Sequence, residues 1–73
     1  MKLKVIPIGV IRMYCNEQEI NILQHFTSRE LIKLLGLPDK LIITPFVTGV
    51  KIDLDDSLED GDEVKFVTMV MGG

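Results

Sequence analysis

The residues with the clearest chemical potential end the sequence, which reads Met71-Gly72-Gly73 directly after a predicted strand. A free α-carboxylate has a pKa of about 3.5 and is ionised at neutral pH. It is a weak nucleophile, but it can attack the α-phosphate of ATP when an enzyme positions both. Glycine has no Cβ, so such an end can enter a narrow channel. We therefore expect the reactive group to be the Gly73 carboxylate and not a side chain. The alternative is an incidental glycine tail.

Cys15 and His25 are the only thiol and the only imidazole of the chain. A Cys–His dyad needs hydrogen-bond contact, whereas these residues flank a predicted strand and lie roughly 30 Å apart if the chain between them is extended. We expect Cys15 to be a loop thiol and His25 a surface or helix-entry residue, and two such residues cannot complete a tetrahedral zinc site. No phosphate-binding loop of the Gly-x-x-x-x-Gly-Lys type is present, so we expect a partner to bind ATP.

Acidic residues are concentrated late in the chain. Seven of the 11 fall between positions 53 and 63 with no lysine or arginine among them: Asp53, Asp55, Asp56, Glu59, Asp60, Asp62 and Glu63. The segment is interpreted either as a solvated loop or as an acidic edge that steers a basic partner surface. A calcium loop of the EF-hand type fits poorly, because counting from Asp56 places Leu58 and Val67 where oxygen ligands are required.

Length and composition limit the class of protein. A chain of 73 residues allows one domain, since roughly 100–200 residues per domain are usual. Hydrophobic residues make up 47% and charged residues 26%, which is typical of a globular chain. The net charge of −3 disfavours nucleic-acid binding, and one cysteine cannot form an internal disulfide. With no spanning apolar run and no signal-peptide pattern, we expect a cytoplasmic protein that acts with a protein partner and is monomeric when free, apart from weak self-association at high concentration.

Five segments show strand patterns. In the first of them, Leu3 and Val5 alternate with lysines, as in a strand with one buried and one solvent-exposed face. Pro45 interrupts the third strand and lacks an amide hydrogen, so it should lie at a sheet edge or a bulge. The predicted strands cover residues 2–8, 19–23, 41–48, 50–54 and 63–70.

A short helix is predicted over residues 28–35. Thr27 and Glu30 have the spacing of a capping box, and Gly36 supplies a left-handed residue that ends the helix. An isolated helix of two turns is unstable, so its apolar residues should pack on a sheet. Those residues are Leu31, Ile32, Leu34 and Leu35.

The elements follow the order β-β-α-β-β-β. This order predicts an α+β protein with one mixed sheet and a short helix packed across one face. In the last strand Lys65 is unfavourable under the helix, so Val64 and Phe66 should face the core. Val67 and Met69 should then lie on the open face of the sheet, where exposed apolar side chains indicate a contact patch.

The element order, the segment Asp60-Gly61-Asp62-Glu63-Val64 and the Gly72-Gly73 end together resemble the ThiS/MoaD family of ubiquitin-like sulfur carriers. The resemblance covers the whole chain in element order, while its specific motifs lie in the last quarter. It implies a β-grasp domain over residues 1–70 and a flexible tail over residues 71–73.

The resemblance also implies a function. Gly73 would be adenylated by an ATP-dependent E1-like enzyme, and a persulfide sulfur donor would convert the adenylate to a thiocarboxylate. The recipient would be thiazole synthase, in thiamin biosynthesis, or the large subunit of molybdopterin synthase. The chain would then be a carrier and not an enzyme, without a bound cofactor or metal. Two alternatives remain: a ubiquitin-like modifier joined to lysines through Gly73, and a β-grasp interaction domain with no activated end.

The partner-binding patch of the family lies on the open face of the sheet. The positions that match are Phe46 and Val67, next to which the strand pattern places Met69.

The sequence departs from the family pattern at three places. Thr48 stands where many members have asparagine before the turn glycine, and Pro45 interrupts a strand. Met69 and Met71 lead into the tail where many members have proline, alanine or glycine. Methionine is adaptable and common at contact surfaces, so these two residues bear on which partner the tail fits.

Overall fold

A computed structural model describes residues 1–23 and 25–68 of the protein. Its strands are β1 (Lys2–Ile8), β2 (Gln18–Asn21), β3 (Ile43–Val47), β4 (Val50–Lys51) and β5 (Glu63–Thr68), and its α-helix is α1 (Ser28–Leu34). A 3₁₀ helix, Gly9–Met13, follows β1. The described chain is therefore a small α+β unit, as the sequence predicts.

The five strands form one mixed sheet. Their order across the sheet is β2-β1-β5-β3-β4, so the order in space differs from the order along the chain. The central pair β1 and β5 is parallel, whereas β2 pairs with β1, and β3 with both β5 and β4, in antiparallel fashion. The last strand of the chain therefore lies at the centre of the sheet.

The helix begins as its sequence predicts. The Glu30 backbone N–H donates to Thr27 Oγ1 at 3.3 Å, and the Thr27 backbone N–H donates to Glu30 Oε1 at 3.0 Å, which completes a capping box. After the helix, Gly36 has a φ of 68°, a left-handed conformation that glycine adopts without strain.

The prediction that Leu34 packs in the core is wrong. Leu31 is fully buried and Leu35 half-buried, but Leu34 keeps 59% of its surface exposed. The buried stripe of this two-turn helix runs through Ser28, Leu31 and Leu35, at spacings of three and four residues. Leu34 lies on the other flank of Leu31, at the rim of the core next to Ile22.

The core lies between the helix and one face of the sheet. Val64 and Phe66 of β5 are fully buried there, which confirms their predicted orientation. Leu58, in the loop before β5, closes one end, and its backbone N–H donates to the Phe26 carbonyl at 2.8 Å. The buried apolar cluster is Leu3, Val5, Ile11, Leu31, Leu37, Ile43, Leu58, Val64 and Phe66.

Two prolines flank the centre of the sheet. Pro7 of β1 and Pro45 of β3 both lie directly opposite Phe66. The Ile52 N–H donates to the Pro45 carbonyl at 3.1 Å. Since the nitrogen and the carbonyl of one strand residue point to the same side, the Pro45 nitrogen also faces the side of β4. The residues of β3 that pair with β4 begin at Phe46. Strand β3 lies between β5 and β4, and its register with β5 is continuous, so the prediction that Pro45 lies at a sheet edge or a bulge is wrong. The missing donor faces Ile52, just beyond the two paired residues of β4, where the ladder has already ended.

Candidate partner-binding face

The face of the sheet opposite the helix carries an apolar surface. In one row across the strands, Ile6 of β1 lies opposite Lys65 of β5, which lies opposite Phe46 of β3. In the next row Ile8 lies opposite Val67, which lies opposite Thr44. Directly paired residues share a face of the sheet. We call Ile6, Ile8, Phe46 and Val67 the open-face patch.

The two predicted patch residues within the described chain lie next to each other. Phe46 pairs with Lys65, and Val67 is two residues further along β5, so Phe46 and Val67 are diagonal neighbours. Diagonal side chains on adjacent strands are roughly 7–8 Å apart, within reach of an aromatic ring. Both are half-buried, with α1 on the other side of the sheet. The family resemblance suggested Phe46, and the orientation of Lys65 suggested Val67. The pairing of β3 with β5 makes these two residues neighbours.

Sequence reasoning missed Ile6 and Ile8. The open side of β1 reads Lys2, Lys4, Ile6 and Ile8, so it changes from charged to apolar halfway along the strand. That change was visible in the sequence. The parallel pairing of β1 with β5 places Ile6 beside Lys65 and Ile8 beside Val67, so both isoleucines extend the apolar surface.

The remaining predicted site residues are Met69, Met71, Gly72 and Gly73. They lie outside the described residues, which reach Thr68 at the end of β5. The adenylation site, the tail and the third member of the predicted patch therefore remain predictions.

The other end of the open face is charged and internally paired. Lys2 Nζ lies 3.7 Å from Glu19 Oε2, and Lys4 Nζ lies 3.5 Å from Glu17 and 3.9 Å from Glu63. These side chains are largely exposed, so each pair adds little stability. Positive and negative charges are therefore paired at one end of the open face, and the open-face patch forms its apolar end.

The acidic segment is built from two turns of the same design. The Asp56 N–H donates to the Asp53 carbonyl, and the Asp53 N–H donates to Asp56 Oδ2 at 2.9 Å. Glu59 and Asp62 repeat both bonds, with the Glu59 N–H donating to Asp62 Oδ2 at 2.8 Å. Local carboxylate–backbone bonds of this kind stabilise turns. Asp56 and Asp62 therefore have roles within the loop, and steering of a basic partner by the segment stays a prediction.

Asp55 has a different role in that segment. Its carboxylate accepts from Arg29 Nε at 2.7 Å and from Arg29 Nη2 at 3.2 Å, a fork that ties the loop to α1. The hydrogen bond and charge of Arg29 lower the pKa of Asp55, and the same contact raises the pKa of Arg29.

Cys15 and His25 have separate surroundings. Cys15 is half-buried beside Ile6 and Arg12, and burial raises the pKa of its thiol. A raised pKa lowers the thiolate fraction at neutral pH, so the thiol is a poor nucleophile. The His25 ring nitrogens lie 3.2 Å from the Ser57 hydroxyl at an exposed site. Within residues 1–23 and 25–68, no hydrogen bond joins the two residues.

The described part of the chain holds no group of three or more histidine, cysteine, aspartate or glutamate residues that could bind a metal ion. No helix in that part is long and apolar enough to cross a membrane. A comparison with models of known protein families and with curated proteins found no match.

Proposed function

We propose that the protein is a β-grasp sulfur carrier of the ThiS/MoaD type, whose Gly73 carboxylate is activated by an E1-like enzyme. One observation carries the proposal. The open-face patch, with Phe46 and Val67 as neighbours, lies at the end of β5 from which the chain continues to Gly72-Gly73. A partner that docks on this patch is thus within a few residues of the proposed reactive group.

The chain geometry is compatible with such a partner. From Thr68, the last residue of β5, to Gly73 there are five residue steps, which span at most roughly 18 Å. An enzyme that holds the open-face patch can therefore place its ATP site up to that distance from β5. Gly72 and Gly73 lack side chains, so a narrow channel can admit them.

The proposed chemistry takes place in three balanced steps. The Gly73 carboxylate attacks the α-phosphate of ATP, which forms an acyl-adenylate and releases pyrophosphate. The terminal sulfur of a persulfide donor attacks the acyl carbon and expels AMP, which leaves an acyl disulfide. A thiolate then reduces this disulfide, so that the Gly73 thiocarboxylate leaves and the donor sulfur forms a disulfide with the attacking thiol.

In this scheme the carrier contributes no catalytic side chain. The activating partner binds ATP, a separate donor supplies the sulfur, and the thiocarboxylate passes it to a biosynthetic enzyme. The family resemblance suggests thiazole synthase or the large subunit of molybdopterin synthase as the recipient. The described residues contribute the sheet that carries the patch, and they end at Thr68, five residues before Gly73 in the sequence.

Intact-mass spectrometry tests the proposal directly. The protein is incubated with an E1-like enzyme, ATP, a persulfide donor and a thiol reductant. We expect the mass increase that replaces one carboxylate oxygen by sulfur, and its loss when Gly72 and Gly73 are deleted. Absence of both the mass increase and ATP–pyrophosphate exchange would contradict the proposal. Attachment to lysines of other proteins would instead favour the modifier, and partner binding that survives the deletion would favour the interaction domain.

The role of the open-face patch has its own test. Phe46→Ser combined with Val67→Ser should raise the carrier concentration needed for half-maximal pyrophosphate exchange by about 10-fold or more, because central apolar contacts carry most interface energy. Ile42→Ser is the matched control, since Ile42 is 56% exposed and lies beside α1 residues Ile32 and Lys33. Equal effects of both variants would remove the patch from the proposal.

A further inference from the structure

In the sheet that the described residues form, β2 is an edge strand whose only neighbour is β1. The Met1 amino group donates to the Ile22 carbonyl at 2.7 Å, and the Ile22 N–H donates to the Met1 carbonyl at 2.8 Å. The backbone N–H and C=O of Ile22 therefore point toward β1. Successive residues of a strand direct their N–H and C=O groups to opposite sides. Gln18 and Ile20 therefore also face β1, and Glu19 and Asn21 direct theirs away from the sheet. Within the described residues, no hydrogen bond uses those outward groups.

Apolar surface borders the same edge. Ile20 and Ile22 are half-buried on the helix side of β2, and Leu34 of α1 is 59% exposed next to Ile22 and Phe26. A strand added to β2 would gain backbone hydrogen bonds and cover part of this surface. The opposite edge differs, because β4 has only two residues and offers a much shorter template.

We propose that β2 pairs antiparallel with β2 of a second copy of this chain, in a two-fold symmetric dimer centred on Ile20. Backbone hydrogen bonds between the two copies form only where residues whose N–H and C=O groups point away from β1 lie opposite each other. In β2 these residues are Glu19 and Asn21. A register centred on Glu19 would oppose two carboxylates, which is destabilising. The register centred on Ile20 instead places Glu19 opposite Asn21 of the second copy, twice by symmetry.

Charges on the open face favour the same register. Within one copy Asn21 lies opposite Lys2 and Glu19 lies opposite Lys4. In the dimer each row would then read lysine, asparagine, glutamate, lysine, with no like charges in direct opposition. On the helix side the two Ile20 side chains would meet as a close apolar pair, flanked in each copy by Leu3.

The dimer does not use the open-face patch. Strand β2 is separated from β5 by β1, and from β3 by two strands, so Phe46 and Val67 stay accessible in both copies. The inference therefore does not depend on the proposed function, and its failure would leave that function untouched. An interface this short is expected to be weak, with a dissociation constant on the order of 0.1–1 mM.

Sedimentation equilibrium of the full chain, from about 10 µM to about 2 mM, measures this association. In the Ile20-centred register, Asn21→Lys places an ammonium opposite Glu19 of the second copy, and Asn21→Glu places a carboxylate there. We expect Asn21→Lys to tighten the dimer about 3- to 10-fold and Asn21→Glu to weaken it by a similar factor. High salt should reduce the difference.

Charge-matched controls change the net charge elsewhere. Asp39→Asn matches the charge change of Asn21→Lys, and Lys40→Gln matches that of Asn21→Glu; both residues are exposed and lie after α1. Neither should shift the dissociation constant. Asn21→Pro removes one outward donor without removing a bond to β1 and should abolish dimerisation. Circular dichroism at low concentration checks that each variant folds.

Three results would overturn the inference. The first is a wild-type protein that stays monomeric up to about 2 mM. The second is a shift in the same direction for Asn21→Lys and Asn21→Glu, which would indicate another register. The third is an association that none of the Asn21 variants alters, which would place the interface on another surface, such as the open-face patch or an edge occupied by an extended peptide.

Discussion

Phe66 and Phe46 lie on adjacent strands but on opposite faces of the sheet. Phe66 is fully buried between Pro7 and Pro45 on the helix side of the sheet. Phe46 is half-buried on the opposite side, beside Lys65. The first ring therefore contributes to stability, and the second lies on the face that we propose for partner binding.

Truncating the two rings should separate these roles. Phe66→Ala should lower the free energy of unfolding by about 3–5 kcal/mol, through lost burial and a cavity, whereas Phe46→Ala should cost about 1 kcal/mol. Urea unfolding followed by circular dichroism measures both. If Phe66→Ala fails to fold, Phe66→Leu supplies the core value. Similar costs for Phe46→Ala and Phe66→Ala would show that the two faces are wrongly assigned.

The Arg29–Asp55 fork is a residue-scale link whose strength depends on pH. Its hydrogen bonds lower the pKa of Asp55, so folding favours the ionised carboxylate. A group with a lowered folded pKa contributes stability above its unfolded pKa and loses it as the pH falls through the folded value. The contribution should therefore be complete at neutral pH and disappear in acid.

Asp55→Asn tests this link. The variant should be less stable than wild type at pH 7, and the difference should shrink as the pH falls below the ordinary aspartate pKa of 3.8. Thermal melts across that pH range measure it, with Asp39→Asn as an exposed control. A stability difference that does not change with pH would show that the fork is not the cause.

At the scale of elements, the turn between β3 and β4 has a favourable backbone geometry but an unfavourable residue at its first central position. Val47 pairs with Val50, so the loop contains only Thr48 and Gly49. Their φ values are 54° and 77°, as in a type I′ turn, whose first central position favours asparagine. A β-branched threonine is strained in this region. Asparagine would fit this conformation better than the threonine present.

Relieving this strain should stabilise the protein. Thr48→Asn should raise the free energy of unfolding by about 1 kcal/mol, as measured by urea unfolding. Gly49→Ala should have the opposite effect. A Cβ added at Gly49 meets nothing within 4 Å, so its cost comes only from the positive φ. A destabilised Thr48→Asn variant would mean that the threonine side chain makes a compensating contact.

For the whole molecule, stability and proposed chemistry belong to different parts of the chain. The buried cluster extends from Leu3 to Phe66, and the described pairing of β5 ends at Thr68. The proposed reactive end begins after that point. A carrier needs this separation, because its end must enter a partner while the sheet stays folded.

Deleting Gly72 and Gly73 should therefore leave the thermal unfolding midpoint unchanged within about 1 °C while abolishing thiocarboxylate formation. Differential scanning calorimetry and intact-mass spectrometry provide the two readouts. A full-length variant with Gly73→Ala controls for chain length. A large loss of stability on deletion would show that the end contributes to the folded core.

Local signals in the sequence determined the individual elements. The Thr27–Glu30 spacing predicted the helix start because a capping box forms within four residues. Alternation of Leu3 and Val5 with lysines predicted β1 at its observed bounds, because a strand with one buried face repeats every two residues. Lys65 correctly oriented β5, since a lysine is costly to bury. Each signal depends on residues that are close together in the chain.

Only the tertiary structure decided which elements meet. The parallel pairing of β1 with β5 joins residues about 60 positions apart, and no local pattern encodes such a contact. That pairing added Ile6 and Ile8 to the open-face patch. The position of α1 over the sheet exposed Leu34, whose spacing alone predicted burial. The edge position of β2 in the described sheet likewise follows from the strand order, since a strand pattern does not indicate whether a strand will have one neighbour or two.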